Sequence, residues 1–199
     1  VLPVDVAHSE WLCTVIGSTV PRVRLGLCLI SGLSQAAVQR LLSARASAAF
    51  ADIADLAQRS GLAQHELACL AKADAMRHLA GHRRLQWWAA SAAHDGVPLL
   101  DSDTANTDWL PAASLGEEVI QDYASTQLSL RAHPVALLRV RLTQKRLMTA
   151  SVLNTYPDRR LARACGLVTV RQRPSTAKGV LFLTLEDETG QVNVVIWKD

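Results

Sequence analysis

The stretch that most constrains this chain is Ile30-Ser31-Gly32-Leu33-Ser34, which reads as a tight hairpin. Ahead of it, Arg22 to Leu29 alternates, with Val23, Leu25, Leu27 and Leu29 on one side, as a strand does. Behind it, Ser34 is a good helix N-cap, and Ala37, Val38, Leu41, Leu42 and Arg45 follow at helical spacing, predicting a helix that ends near residues 46–48. Gly32 permits the turn, Leu33 anchors it, and the first amides of the next helix are left pointing outward. A glycine-hydrophobic-serine hairpin that opens a helix is the centre of a helix-hairpin-helix, whose helix start suits an anion such as a DNA phosphate. The same five residues also fit a plain corner between two helices with a capped second helix.

A weaker echo follows. Phe50, Ile53 and Leu56 recur at a spacing of three, Asp52 is placed to cap a short helix to Arg59, and Ser60-Gly61-Leu62 forms a second corner. Leu67, Leu70 and Ala71 then share one helix face, so a tandem pair of hairpins is expected. Leu79 to Ala92 reads as one further helix with Leu85 and Trp88 or Trp87 inward, and His94-Asp95-Gly96-Val97-Pro98 breaks it. Ser114-Leu115-Gly116-Glu117 is a capping box, opening a helix with Val119, Ile120 and Tyr123 as its apolar face. His133-Pro134 interrupts, and Val135 to Leu142 forms another short helix.

From Arg160 the period changes to two. Leu161 to Arg171, Gly179 to Glu186, and a run through Val192, Val194 and Ile196 are three strands, with a turn at Asp187-Glu188-Thr189-Gly190. Three antiparallel strands with a basic first loop are the opening half of a five-stranded OB-fold. The fold class is therefore α+β: a helical tandem helix-hairpin-helix domain, a helical connector, then a partial, three-strand OB-fold. The expected divisions are 1–20, an extended start with a strand near Cys13 to Ile16; 21–92, the hairpin domain; 93–116, an acidic linker; 117–150, the connector; and 151–199, the half OB-fold. The missing initiator Met and the missing strands suggest a segment of a longer protein.

Charge is more telling in its distribution than in its total of +3. Leu85 to Leu130 contains seven acids and no Lys or Arg, whereas Arg131 to Lys178 carries eleven bases against Asp158 alone, about +10. Such segregation points to a polyanionic partner for the second half, or to a basic face neutralised by the acidic segment. Cys13, Cys28, Cys69 and Cys165 are scattered and read as reduced structural thiols of a cytoplasmic protein. Nothing approaches the roughly 18 apolar residues of a membrane span or the pattern of a signal peptide, so no membrane partner is expected.

Catalytic chemistry finds little footing. Asp101-Ser102-Asp103 lies in a polar linker, and His78 and His82 lack a third ligand, so no metal site is expected. No phosphate-binding glycine loop and no nucleophile elbow is present, and no residue is assigned a catalytic role.

VLPVDVAHSEW (Val1 to Trp11) resembles the end of the fingers region of bacterial C-family DNA polymerase α subunits. RLGLCLISGLS (Arg24 to Ser34) and RASAAFADIADL (Arg45 to Leu56) resemble that family's tandem helix-hairpin-helix. EEVIQDYASTQLSLRAHP (Glu117 to Pro134) resembles its connector, and VTVRQRPSTAKGVLFLTLEDETGQVNVVIW (Val168 to Trp197) its OB domain, with the RQRP and LEDETG wording closest to the error-prone branch. The resemblance implies a C-terminal, non-catalytic segment of a DNA-directed DNA polymerase of damage tolerance and induced mutagenesis. The parent's Mg-dependent catalytic aspartates would lie upstream, and no cofactor is expected in this chain.

The implied partners are duplex or primer-junction DNA, other members of a mutagenesis complex, and the sliding clamp. The DNA-contacting residues would be Ser31, Gly32, Leu33, Ser34 and Gly61 in the hairpins, Arg171, Arg173 and Lys178 in the first OB loop, and Trp197, which would stack on an unpaired base or face a core or partner. Two departures stand out. Ser34 occupies a position where the motif more often has glycine, and Gly96-Val97-Pro98-Leu99-Leu100 lacks the glutamine and terminal phenylalanine of a clamp-binding peptide. The rival reading is a protein-interaction module that docks the polymerase to its mutagenesis partners or to the clamp. An OB domain of an RNA-binding enzyme is disfavoured by the hairpin domain upstream.

Overall fold

The computed structural model describes residues 1–93, 110–177 and 179–197. The chain divides into two compact units, Val1–Leu130 and Arg131–Asp199.

Among the described residues of the first unit a two-stranded ribbon, β1 (Thr14–Ile16) and β2 (Arg22–Arg24), precedes six helices: α1 (Gln35–Ser47), α2 (Ile53–Ser60), α3 (Gln64–Lys72), α4 (Arg77–Ala80), α5 (Arg83–Ala92) and α6 (Leu115–Thr126). Their common core is closed by Leu27, Val38, Leu41, Leu56, Leu67, Leu70 and Met76, all fully buried. The chain's first residues belong to this core. Val4 and Val6 are buried in it, the Val6 N–H donates to the Ala75 carbonyl at 2.9 Å, and Leu2 pairs with the backbone of Val23 and Leu25.

The expected caps form. Ser34 Oγ accepts from the Ala37 N–H, Asp52 Oδ1 from the Asp55 N–H, and Ser114 and Glu117 make the reciprocal box at the start of α6.

Three expectations are corrected here. The strand ahead of the hairpin stops at Arg24, and Leu27–Leu29 is a 3-10 turn. The cause is a close approach: Gly26 lies against the Trp11–Cys13 backbone, where a Cβ would come within 2.4 Å of the Leu12 carbonyl carbon. Leu27 and Cys28 donate to the Glu10 and Trp11 carbonyls instead of extending a ribbon. Second, Leu79 to Ala92 is two helices, parted at Gly81. The break resets the phase, so α5 buries Arg83, Gln86 and Ala90 while Trp87 and Trp88 are 44% and 46% exposed. Gln86 is drawn inside because its side chain satisfies the interrupted backbone, accepting from the Met76 N–H and donating to the Gly81 carbonyl. Third, α6 buries Val119, Asp122, Ser125 and Thr126, leaving Ile120 and Tyr123 outside. Its inward face is set by Arg83, which pairs with both Glu118 and Asp122.

The second unit has two short helices, α7 (Arg139–Gln144) and α8 (Ala150–Leu153), and a sheet of β3 (Leu167–Gln172), β4 (Leu181–Asp187) and β5 (Gly190–Ile196). The sheet is antiparallel in the order β3-β4-β5, an OB-like three-stranded meander, so the described fold is α+β as expected. Registers Arg171↔Leu183, Phe182↔Val195 and Leu183↔Val194 place Leu181, Leu183, Leu185, Val192 and Val194 on the more buried face. The first strand begins at Leu167 rather than Leu161, which is 99% exposed. The preceding segment runs instead beside Met148, whose N–H donates to the Arg163 carbonyl.

The Asp187–Gly190 turn fastens this unit. Asp187 accepts from the Ala150 N–H (2.8 Å) and the Thr189 N–H (2.7 Å), and Arg139 bridges Asp187 (3.1 Å) and Glu188 (3.0 Å). Burial pushes the Asp187 carboxyl up, but hydrogen bonds from Thr189 and Ala150 and the Arg139 charge outweigh it and hold it below the usual carboxylate range. The Arg139 hydrogen bond holds Glu188 low as well. Both groups therefore stabilise the folded state above the ordinary carboxylate pKa of about 4, and that stability is lost as the pH falls through their depressed folded values. Urea melts followed by circular dichroism should show stability flat from pH 8 to about 5 and falling below. Asp187→Asn should lower the plateau and make the acid limb shallower.

No helix among the described residues is long and apolar enough to cross a membrane.

Candidate nucleic-acid interface

The first hairpin is built as a turn on a packed floor. Gly32 has φ +81°, a conformation that L side chains rarely adopt, and a Cβ there would meet Cys69 Sγ at 3.1 Å. Burial pushes the Cys69 thiol up, so a neutral sulfur lies beneath the turn. Ile30 and Leu33 flank Gly32 from inside the core, 3% and 8% exposed. Gly32→Ala is expected to cost about 1–2 kcal/mol, through backbone strain and the sulfur contact, in chemical denaturation.

The hairpin's donors divide into spent and unspent. The Ser31 N–H donates to the Ser125 carbonyl of α6 at 2.8 Å, Leu33 bonds back to Ile30, and the Ala37 and Val38 N–H groups are taken by Ser34. Among the described residues, the N–H groups of Gly32, Ser34, Gln35 and Ala36 meet no acceptor. The first turn of α1 contains no acid. Four unspent donors lie at and just ahead of the positive end of a thirteen-residue helix, an arrangement suited to an anionic oxygen. Ser31 thus contributes its position but not its amide, Leu33 anchors from below, and Gln35 and Ala36 are the first-turn amides left outward.

The second corner differs. Gly61 is left-handed (φ +59°) and ends α2, donating its N–H to the Ala57 carbonyl at 3.0 Å. At the start of α3 the Glu66 carboxylate reaches back to the Ala63 N–H at 2.8 Å and also meets Arg40 of α1 at 2.7 Å.

In the second unit, Arg171 is the last residue but one of β3 and Arg173 lies just beyond its end, both exposed. Trp197, 74% exposed, follows β5. Because Arg171 pairs with Leu183 and Ile196 with Leu181, these three residues share one end of the sheet. Lys178, Gly96 to Leu100 and Asp101 to Asp103 lie outside the described residues. Of the bases counted in the sequence, Arg139 is spent on Asp187 and Glu188. Arg141, Lys145, Arg146, Arg159, Arg160, Arg163, Arg171 and Arg173 are exposed and pair with no carboxylate among the described residues.

His78 faces Asp5 (3.2 Å) and His82 contacts the Leu110 carbonyl (3.1 Å), so the two imidazoles serve different partners on either side of Gly81. No group of three His, Cys, Asp or Glu among the described residues is arranged to hold a metal ion.

Comparison with known proteins bears on the whole chain. Residues 1–86 match the family described as helix-hairpin-helix motif. A protein of Bordetella parapertussis named error-prone DNA polymerase is 52% identical over 98% of this chain and 19% of its own length. Proteins of the same name are 48% identical in Ralstonia nicotianae and 42% identical in Xanthomonas campestris pv. campestris, each over 99% of this chain and 19% of the relative. The chain thus spans about one fifth of the length of the curated relatives it matches.

Proposed function

This chain is homologous along nearly its whole length to a segment of the error-prone DNA polymerases, and from that premise we propose that it is a non-catalytic segment that grips the DNA backbone. The observation that carries the reading is the row of unspent donors at Gly32, Ser34, Gln35 and Ala36, at a helix start with no acid in its first turn. A DNA phosphate satisfies those donors and the helix dipole together. The unpaired arginines of the second unit add a sequence-independent attraction, and Arg171, Arg173, Lys178 and Trp197 form the second contact. Trp197 stacks on an unpaired base at a primer junction. Gly61 acts by shaping its corner.

Within the whole polymerase this segment holds duplex behind the active site during damage-tolerant synthesis, and the catalytic Mg-binding aspartates lie elsewhere in the protein. In this reading residues 21–92 are the hairpins, 117–150 the connector and 151–199 the half OB-fold. A second reading has one observation in its favour. Val170, Phe182 and Val195 leave an apolar strip exposed on one face of the sheet, which suits docking to another member of a mutagenesis complex or to the clamp.

Fluorescence anisotropy of the chain with labelled duplex, single-stranded and primer-junction DNA tests the proposal. Micromolar or tighter binding to duplex or junction is expected. Binding to single strands alone would contradict the hairpin's part in it.

A further inference from the structure

We propose that the tandem hairpin unit holds phosphate through its first hairpin only, because Glu66 closes the second one from within. The inference rests on the phosphate-holding reading of the first hairpin and concerns which half of the pair takes part.

The two helix starts are topologically alike and electrostatically opposite. In α1 the cap is the neutral hydroxyl of Ser34, and the first turn holds no acid. In α3 the cap residue is Ala63, which has no side-chain acceptor. The Glu66 carboxylate takes over, accepting from the Ala63 N–H at 2.8 Å. This carboxylate is held firmly, since Glu66 is only 7% exposed and Arg40 grips the same oxygen at 2.7 Å. A phosphate approaching the start of α3 would meet a fixed negative charge where α1 offers none. The cation nearest to it, Arg40, is already engaged. Glu66 thus stands where the phosphate would, and the grip is one-sided: one strand's backbone is held by α1, while α3 serves as the floor through Cys69.

The test is Glu66→Gln in the full chain, with labelled duplex DNA over a salt series. Glutamine keeps a carbonyl for the Ala63 N–H, removes the charge and releases Arg40, whose side chain is 44% exposed. Affinity should rise several-fold near 0.1 M salt, and the salt slope should steepen by about one phosphate's worth, ~0.9. Arg40→Gln, which leaves the carboxylate in place, should give no gain and no loss. Thermal melts establish that both variants are folded.

If wild-type binding is salt-dependent and lost in Gly32→Ala, yet Glu66→Gln matches wild type in affinity and slope, the one-sided grip is overturned and the first hairpin's role stands. A folded Arg40→Gln variant with reduced affinity also overturns it, because Arg40 would then already sit on phosphate. If Gly32→Ala binds as wild type does, the reading of the first hairpin fails, and the inference fails with it.

Discussion

Arg83→Ala should destabilise the first unit by about 3–5 kcal/mol, the cost of removing one partner from a buried ion cluster. Arg83 is 7% exposed and lies between two acids of α6. It pairs with Asp122, meets Glu118 Oε2 at 2.8 Å and donates to the Glu118 carbonyl at 3.1 Å. Asp122 is further held by the Ser129 hydroxyl at 2.7 Å. Without the guanidinium, Glu118 and Asp122 lose the cation they share in a largely desolvated setting, and that loss opposes the packing of α6. Urea denaturation should show the midpoint shift. Arg83→Met combined with Glu118→Gln and Asp122→Asn should recover much of the loss, since it removes the three charges together rather than one side of the cluster. The single change should also weaken DNA binding before the unit unfolds, because α6 supplies the carbonyl of Ser125 that pins Ser31.

The second large effect lies on the surface. Arg171→Glu with Arg173→Glu replaces two exposed cations by anions at the end of the sheet that also carries Trp197. Each phosphate contact contributes about 0.9 to the salt slope of duplex binding, so the double variant should lower the slope by about two. At about 0.1 M salt its affinity should fall on the order of a hundredfold, as two attractions become repulsions. Stability should change by less than about 0.5 kcal/mol per site, because neither side chain is buried or, among the described residues, paired with a carboxylate. Anisotropy and a thermal melt on the same samples check both statements. Loss of DNA affinity with association to a protein partner intact supports the grip. Intact DNA affinity with loss of a protein partner supports docking instead.

What was legible in the sequence was what local chemistry fixes. Ser34, Asp52 and the Ser114–Glu117 pair cap their own helices within three residues, so composition at those positions is enough. Gly32 and Gly61 mark corners because few other residues accept their backbone angles. The strand pairs β3-β4 and β4-β5 follow from period-two alternation and the turn between Asp187 and Gly190. What was hidden depended on distant partners. Gly26 ends a strand only because the Trp11–Cys13 backbone lies against it. α6 turns Asp122 inward and Ile120 outward because Arg83, far away in sequence, supplies a buried cation. Trp87 and Trp88 looked like core, yet a helix break shifted Gln86 into their place.

The same division runs through the candidate site. The position of the hairpin could be read, but not that the Ser31 amide is consumed by Ser125, nor that Arg139 is withdrawn from the basic total by Asp187 and Glu188. Glu66 left a partial signal, an acid three residues after a helix cap.

The most direct single measurement is the backbone amide spectrum of the isotope-labelled chain during titration with a short DNA duplex. The expected result is a set of shifts concentrated at Gly32, Ser34, Gln35 and Ala36, with a second set at Arg171 and Arg173. Shifts confined to other surfaces, with the Gly32 to Ala36 amides unmoved at saturation, would contradict the hairpin as the place where this chain holds DNA.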